Sequence, residues 1–257
     1  MTTPNPKPLI VIIPGGFHRP AHYTNIITPL QSQGYTVLSV PLVVCGDADI
    51  SPDATPLDDV KALHNQLLPL LDQGNEAILV AHSYGSMVAT AAIQNQTKAD
   101  RSSRGLAGGV VGIVSIAGFA FPVRGKSISG GEEEMGPLPY QVLKDGLLSL
   151  TEAAKPLFYS DLPTDAADAA FASICKFQSH KSLNYFPQFL ESEITVPKLY
   201  VLCERDQTVP PAFQEVMVQV GKFDRVARLQ SSHSPFLSVP GEVVEVIVGF
   251  GNEVVKR

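Results

Sequence analysis

The sequence predicts an α/β fold: a mostly parallel, six-stranded sheet flanked by helices. Six short runs rich in Val, Ile and Leu show no polar alternation, and helical patterns separate most of them. Such runs suit strands covered on both faces. Strand–helix alternation implies right-handed crossovers that place helices on both sides of the sheet. The alternation breaks once, because no run from Phe121 to about Glu193 has the character of a strand.

The first strand is "LIVIIP" (9–14), followed by a helical pattern over 21–33. "YTVLSVPL" (35–42) is the second strand, with a helix over 56–72. "AILVAHS" (77–83) is the third and leads into a helix over 84–97. "GVVGIVSIAGF" (109–119) is the fourth. The break then opens with the loop-like "VRGKSISGGEEEMGPLP" and continues with apolar-periodic stretches near 140–159 and 164–177 that read as helices. A structureless insertion of this length does not fit a compact domain, so residues 121–193 are expected to form a helical cap, with Glu132–Glu134 on a solvated face. "KLYVLCE" (198–204) and "VARLQS" (226–231) complete the sheet, with helices over 211–220 and 236–250. Residues 1–120 and 194–257 are thus expected to form the core.

Composition narrows the function. Hydrophobic residues make up 44% of the 257, enough for a sizeable core. The net charge is −6 with no Lys/Arg cluster, which argues against a nucleic-acid partner. Cys45, Cys175 and Cys203 form no Cys-x-x-Cys pair and read as buried free thiols. His18 and His22 have metal-compatible i, i+4 spacing, but no Glu stands between them in the zinc-protease pattern and Pro20 interrupts the helix. No phosphate-binding glycine loop follows any strand, so neither metal nor cofactor is expected. "MTTPNPKPLIVIIPGG" has no basic leader, and its apolar run is too short to span a membrane. A cytoplasmic protein without a membrane partner is the expectation.

The chemistry concentrates in "ILVAHSYGSMVATAA" (78–92). Ser83 falls at a strand-to-helix junction. A serine exposed there needs a tight turn whose flanking residues are small, as Ala81 and Gly85 are. The following helix points free N–H groups and partial positive charge at the turn, which favours an oxyanion. The plainer alternative is that Ser83 only caps the helix.

A nucleophilic serine needs a base. Among six histidines, His233 alone sits in a loop just after the last strand, in "LQSSHSPFLSVP". Asp206 follows the fifth strand in "RDQTVPP", where it could orient the imidazole, with Glu204 as its rival. Loops after different strands of a parallel sheet converge at one edge, so the three can meet. Two backbone amides are expected to hold the oxyanion: Tyr84, after the nucleophile, and Gly16, in "PGGFHRPAHY". Phe17 and Tyr84 flank these donors and are candidate substrate contacts. Leu147, Leu150, Leu157, Phe158 and Phe171 could line the pocket or only pack the cap.

Together these residues resemble the α/β-hydrolase superfamily, whose triad order is Ser…Asp…His, and the resemblance runs from Leu9 to about Phe250. More narrowly, "PGGFHRPAHY" and "HSPFLSVP" resemble loops of the small esterase branch that includes plant methylesterases, hydroxynitrile lyases and related microbial esterases. The first run matches that family's third strand, which implies a sheet without the usual N-terminal hairpin. Ala81 stands where the family has glycine, and Pro14 where its oxyanion loop has histidine. The resemblance implies hydrolysis of a small or medium apolar ester or lactone. A triad-based lyase is the alternative, although the Thr and Lys of such lyases are replaced here by Gly16 and Ser234. A small-molecule receptor on the same fold would be expected to carry a damaged triad.

Overall fold

The computed structural model describes residues 7–255. In chain order the elements are β1 (Leu9–Ile13), α1 (Thr24–Ser32), β2 (Val37–Ser39), β3 (Cys45–Gly46), α2 (Pro56–Asp72), β4 (Glu76–His82), α3 (Gly85–Ile93), α4 (Lys98–Ser103) and β5 (Gly109–Ile116). They continue with β6 (Gln141–Lys144), β7 (Leu147–Leu150), α5 (Lys155–Tyr159), α6 (Thr164–Ala172), β8 (Phe177–Ser179) and α7 (His180–Leu183). The chain closes with β9 (Lys198–Cys203), α8 (Pro211–Val220), β10 (Arg225–Leu229), α9 (Pro235–Ser238) and α10 (Pro240–Val254).

Six strands pair in parallel in the order β10-β9-β5-β4-β1-β2. The unalternated runs now have their physical reason. Along β1 and β4, Leu9, Val11, Ile13, Leu79 and Ala81 face one core, while Ile10, Ile12, Ile78 and Val80 face the other. Leu63, Leu67 and Leu71 of α2 and Met87 and Val88 of α3 cover the first face. Ile26 and Leu30 of α1 and Val243, Ile247 and Phe250 of α10 cover the second. A strand between two helical layers needs an apolar side chain at every position. The second strand is shorter than the sequence predicts, ending at Ser39, two residues before Pro41, which has no N–H for a ladder.

The expected helical cap is helical only in part. A second, antiparallel sheet in the order β3-β8-β7-β6 forms an insertion. Residues 141–150, expected within a helix, make a hairpin in which Lys144 faces Leu147 and Gln141 faces Leu150. Its turn is Asp145-Gly146, with φ of 51° and 76°. Asp-Gly at positive φ is the turn that matches the twist of a two-residue hairpin. The expected helix over 164–177 stops at Ala172, and Phe177 starts β8. Helices do remain in the segment, as α5, α6 and α7. Glu132–Glu134 are exposed as expected. The three cysteines are buried and free. No helix among the described residues is long and apolar enough to cross a membrane.

A buried acid lies where this segment returns to the sheet. Glu191 is 2% exposed, and its Oε2 accepts from the Phe121 amide at 2.9 Å. Lys198 Nζ donates to the Glu191 carbonyl at 2.9 Å, and Asp224 Oδ2 accepts from the Lys198 amide at 2.7 Å. Burial pushes the Glu191 carboxyl from 4.5 up to about 7. The folded state therefore holds this proton more tightly than the unfolded chain does. The resulting stability is complete below pH 4.5 and is lost as pH rises through about 7. The melting temperature of Glu191→Gln relative to wild type should rise across that window and then level off. A difference independent of pH would show that Glu191 does not titrate there.

Candidate active site

Ser83 sits between β4 and α3 with φ of 50°, in the left-handed region that serine rarely adopts. Its amide donates to the Ile116 carbonyl of β5 at 2.9 Å. Ser86 fixes the other side, its amide and hydroxyl donating to the Ser83 carbonyl at 3.0 and 2.8 Å. Gly85 shows why the neighbour must be small. A Cβ there would lie 2.5 Å from the Ile13 carbonyl oxygen and 2.6 Å from that of Pro14. Only glycine lets α3 start so close to the end of β1. The helix aims the positive end of its dipole, about half a charge, at the turn.

His233 and Asp206 meet behind this turn. His233 Nδ1 lies 2.7 Å from Asp206 Oδ2, with both residues no more than 3% exposed. The carboxylate is fixed in turn. Its Oδ1 accepts from the Thr208 and Val209 amides at 2.7 and 2.9 Å, and Gln214 Nε2 donates to Oδ2 at 3.3 Å. A carboxylate held this way keeps the ring proton on Nδ1 and leaves Nε2 free to accept one. Glu204 is not near the ring: Gln230 Nε2 donates to its carboxylate, and Arg228 Nη1 lies 3.6 Å away.

The loop after β1 presents three consecutive amides. Gly15 N donates to the Tyr23 hydroxyl at 2.9 Å, and Phe17 N donates to Cys45 Sγ at 3.4 Å. Neither the Gly16 amide between them nor the Tyr84 amide finds an acceptor among the described residues. Phe17 itself has φ of 61°, which turns the chain sharply after Gly16. Gly16, Phe17, Ser83, Tyr84 and His233 all line one cavity of about 230 Å³, while Asp206 stands behind His233. Met87, Phe119, Phe121, Ile128 and Phe158 supply an apolar wall. Ser83 Oγ and the His233 ring form no hydrogen bond with each other among the described contacts.

Several supporting residues escaped the sequence reading. His82 links the loop after β1 to the loop that carries His233: the Tyr23 hydroxyl lies 2.9 Å from its Nδ1, and its Nε2 lies 2.9 Å from the His233 carbonyl. The carbonyl can only accept, so Nε2 carries the proton and Nδ1 accepts from Tyr23. Burial, then the nearby His233 and His18 rings, holds its pKa well below the usual histidine range. His18 Nδ1 lies 3.0 Å from the Gly16 carbonyl and Nε2 3.0 Å from the Tyr159 hydroxyl, which holds the peptide that follows the free Gly16 amide. His22 bonds the Arg19 amide and Ser173. Both histidines are thus engaged with protein groups.

Asp59 of α2 anchors Tyr84. The Tyr84 hydroxyl donates to its Oδ2 at 2.6 Å, and burial raises the Asp59 carboxyl to about 6. Asp161, between α5 and α6, receives the Ser232 amide at 2.7 Å and so ties the histidine loop to the inserted segment. His82 could have been found from its place beside Ser83. Asp59 and Asp161 had no sequence signal, because each acts across the fold.

The sequence profile described as the alpha/beta hydrolase family matches residues 10–246. Alpha/beta hydrolase nvfD of Aspergillus novofumigatus is 29% identical over 255 residues, covering 97% of this chain and 99% of its own. Among solved structures, polyneuridine aldehyde esterase superposes with a TM-score of 0.74 at 17% identity, over 95% of this chain and 99% of the other. The pyrethroid hydrolase PytH gives 0.72 at 19% identity, over 98% and 100%. With an all-parallel sheet, a strained serine elbow and a profile match across nearly its whole length, this chain belongs to the alpha/beta hydrolase family.

Proposed function

We propose that this protein is a serine esterase that cleaves a small or medium apolar carboxylic ester or lactone through an acyl-enzyme on Ser83. The observation that carries the reading is the buried Asp206–His233 pair, whose ring opens into the same cavity as Ser83. The mostly apolar lining supports an apolar acyl or alcohol group. Esterase and pyrethroid hydrolase appear in the names of the similar structures, which agrees with this chemistry.

In this reading His233 Nε2 takes the Ser83 proton as Oγ attacks the carbonyl. The Gly16 and Tyr84 amides receive the oxyanion that forms. His233 returns the proton to the leaving alcohol, and water, activated by the same ring, releases the acid. Asp206 holds the tautomer throughout. Phe17 and Tyr84 border the bound carbonyl. Residues 121–193 act as the cap that shapes the rest of the pocket, and the reaction needs no cofactor.

A fluorophosphonate should add once, to Ser83, and an ester panel should then show turnover by the unlabelled protein. Peptide mass mapping locates the adduct. An adduct elsewhere, or unimpaired ester turnover by fully labelled protein, would sink the proposal.

A further inference from the structure

Gln178 is the buried polar side chain of the cavity that the proposed reaction does not use. It lies at the centre of the inserted sheet, in β8, paired with Cys45 on one side and Leu148 on the other. It is 1% exposed and lines the cavity with Ser83 and His233. Its amide has a defined orientation. The Ser182 hydroxyl donates to the Ser179 carbonyl at 2.7 Å, which leaves the Ser182 oxygen as an acceptor. Gln178 Nε2 donates to that oxygen at 2.9 Å. The other end of the amide, Oε1, therefore faces the oxyanion loop. A Cβ built on Gly16 would stand only 2.5 Å from it.

Gln178 Oε1 receives no hydrogen bond among the described residues. The neighbouring polar groups differ in this respect. Thr208 Oγ1 donates to the Leu157 carbonyl at 3.1 Å, and Gln141 Oε1 accepts from the Leu138 amide at 2.9 Å. Tyr140 also lines the cavity, but its phenol both donates and accepts, so it imposes no polarity on a ligand. An amide oxygen only accepts. An apolar ligand that displaced water from Oε1 would leave a buried acceptor unpaired, whereas a ligand hydroxyl would satisfy it.

From this placement we propose that Gln178 is a specificity-determining residue that selects an acyl group bearing a hydroxyl one or two carbons from the reacting carbonyl. The distance scale sets the position of that hydroxyl. Oε1 lies against Gly16, whose free amide is the proposed oxyanion donor, so a donor bonded to Oε1 must sit within a few bonds of the carbonyl carbon. The preferred substrate class becomes a 2- or 3-hydroxyacyl ester with an apolar remainder. This rests on the esterase reading for the identity of the reacting group, and its test separates the two.

The methyl esters of hexanoic, 2-hydroxyhexanoic and 3-hydroxyhexanoic acid are compared by kcat/KM in wild type, Gln178→Leu and Gln178→Met. Wild type should favour one hydroxy ester over hexanoate by about 10- to 100-fold, the scale of one buried acceptor left unpaired. In both variants that ratio should fall toward one. The ratio is the readout, so a general loss of activity in a variant does not count. The same three esters are titrated calorimetrically into Ser83→Ala, where the Kd ratio should show the same preference without turnover. Absence of turnover in wild type alongside a hydroxyl preference in Ser83→Ala binding would overturn the esterase reading and keep the role of Gln178. No hydroxyl preference in wild-type turnover or in Ser83→Ala binding would overturn the role of Gln178. So would a preference that persists in Gln178→Leu and Gln178→Met.

Discussion

Ser83→Ala should lower kcat on a small apolar ester by about 10³- to 10⁶-fold, the upper end being the cost of removing the serine of a comparable triad. The fold should survive. Ser83 Oγ bonds no protein group among the described contacts, so its removal orphans no partner. The backbone bonds that hold the turn, to Ile116 and from Ser86, do not involve the side chain that is lost. Alanine at a φ of 50° is strained, as serine already is, so the melting temperature should change little. Steady-state kinetics and thermal unfolding on the same preparation check both halves. Undiminished turnover by a folded Ser83→Ala would reject the acyl-enzyme scheme, whatever the other residues do.

Asp206→Asn should cost about 10⁴-fold in kcat, the loss seen when the orienting carboxylate of a comparable triad is neutralised. The hydrogen-bond inventory explains the expected size. The Thr208 and Val209 amides both donate to Oδ1, which fixes an oxygen at that position in any isosteric replacement. An asparagine therefore turns its NH₂ toward His233 Nδ1. The ring must then accept at Nδ1 and carry its proton on Nε2, so it cannot act as a base toward Ser83. Gln214, 3.3 Å from Oδ2, loses its acceptor as well, but its Nε2 still donates to Cys203 and Val209. Glu204→Gln should lose tenfold or less, because its carboxylate bonds Gln230 at the surface and not the ring. Measuring kcat for both variants on one ester decides between them. A mild Asp206→Asn together with a severe Glu204→Gln would overturn the assignment and move the orienting role to Glu204.

The antiparallel hairpin in the inserted segment shows how a local pattern can mislead. Leu147, Leu150, Leu157 and Phe158 fall at spacings a helix can use, and that suggests one. The decisive local signal was Asp145-Gly146, since two consecutive residues at positive φ cannot lie inside a helix. The remaining strands of that sheet were harder to foresee. Cys45–Gly46 is two residues long, and it pairs with Phe177 and Gln178, more than a hundred positions away. A strand so short has no periodicity of its own.

The sequence by itself determined the layered sheet and the positions of Ser83, Asp206 and His233 at the ends of three different strands. These features leave local marks, because a strand covered on both faces must be apolar throughout and a tight elbow must have small neighbours. Only the tertiary structure decided which partner each of these residues meets. It joined Asp206 rather than Glu204 to His233, set His82 between Tyr23 and the His233 carbonyl, and turned the amide oxygen of Gln178 toward Gly16. Those contacts join residues from separate strands and loops, and a hydrogen bond between distant segments depends on distance and direction in space, which no spacing along the chain records.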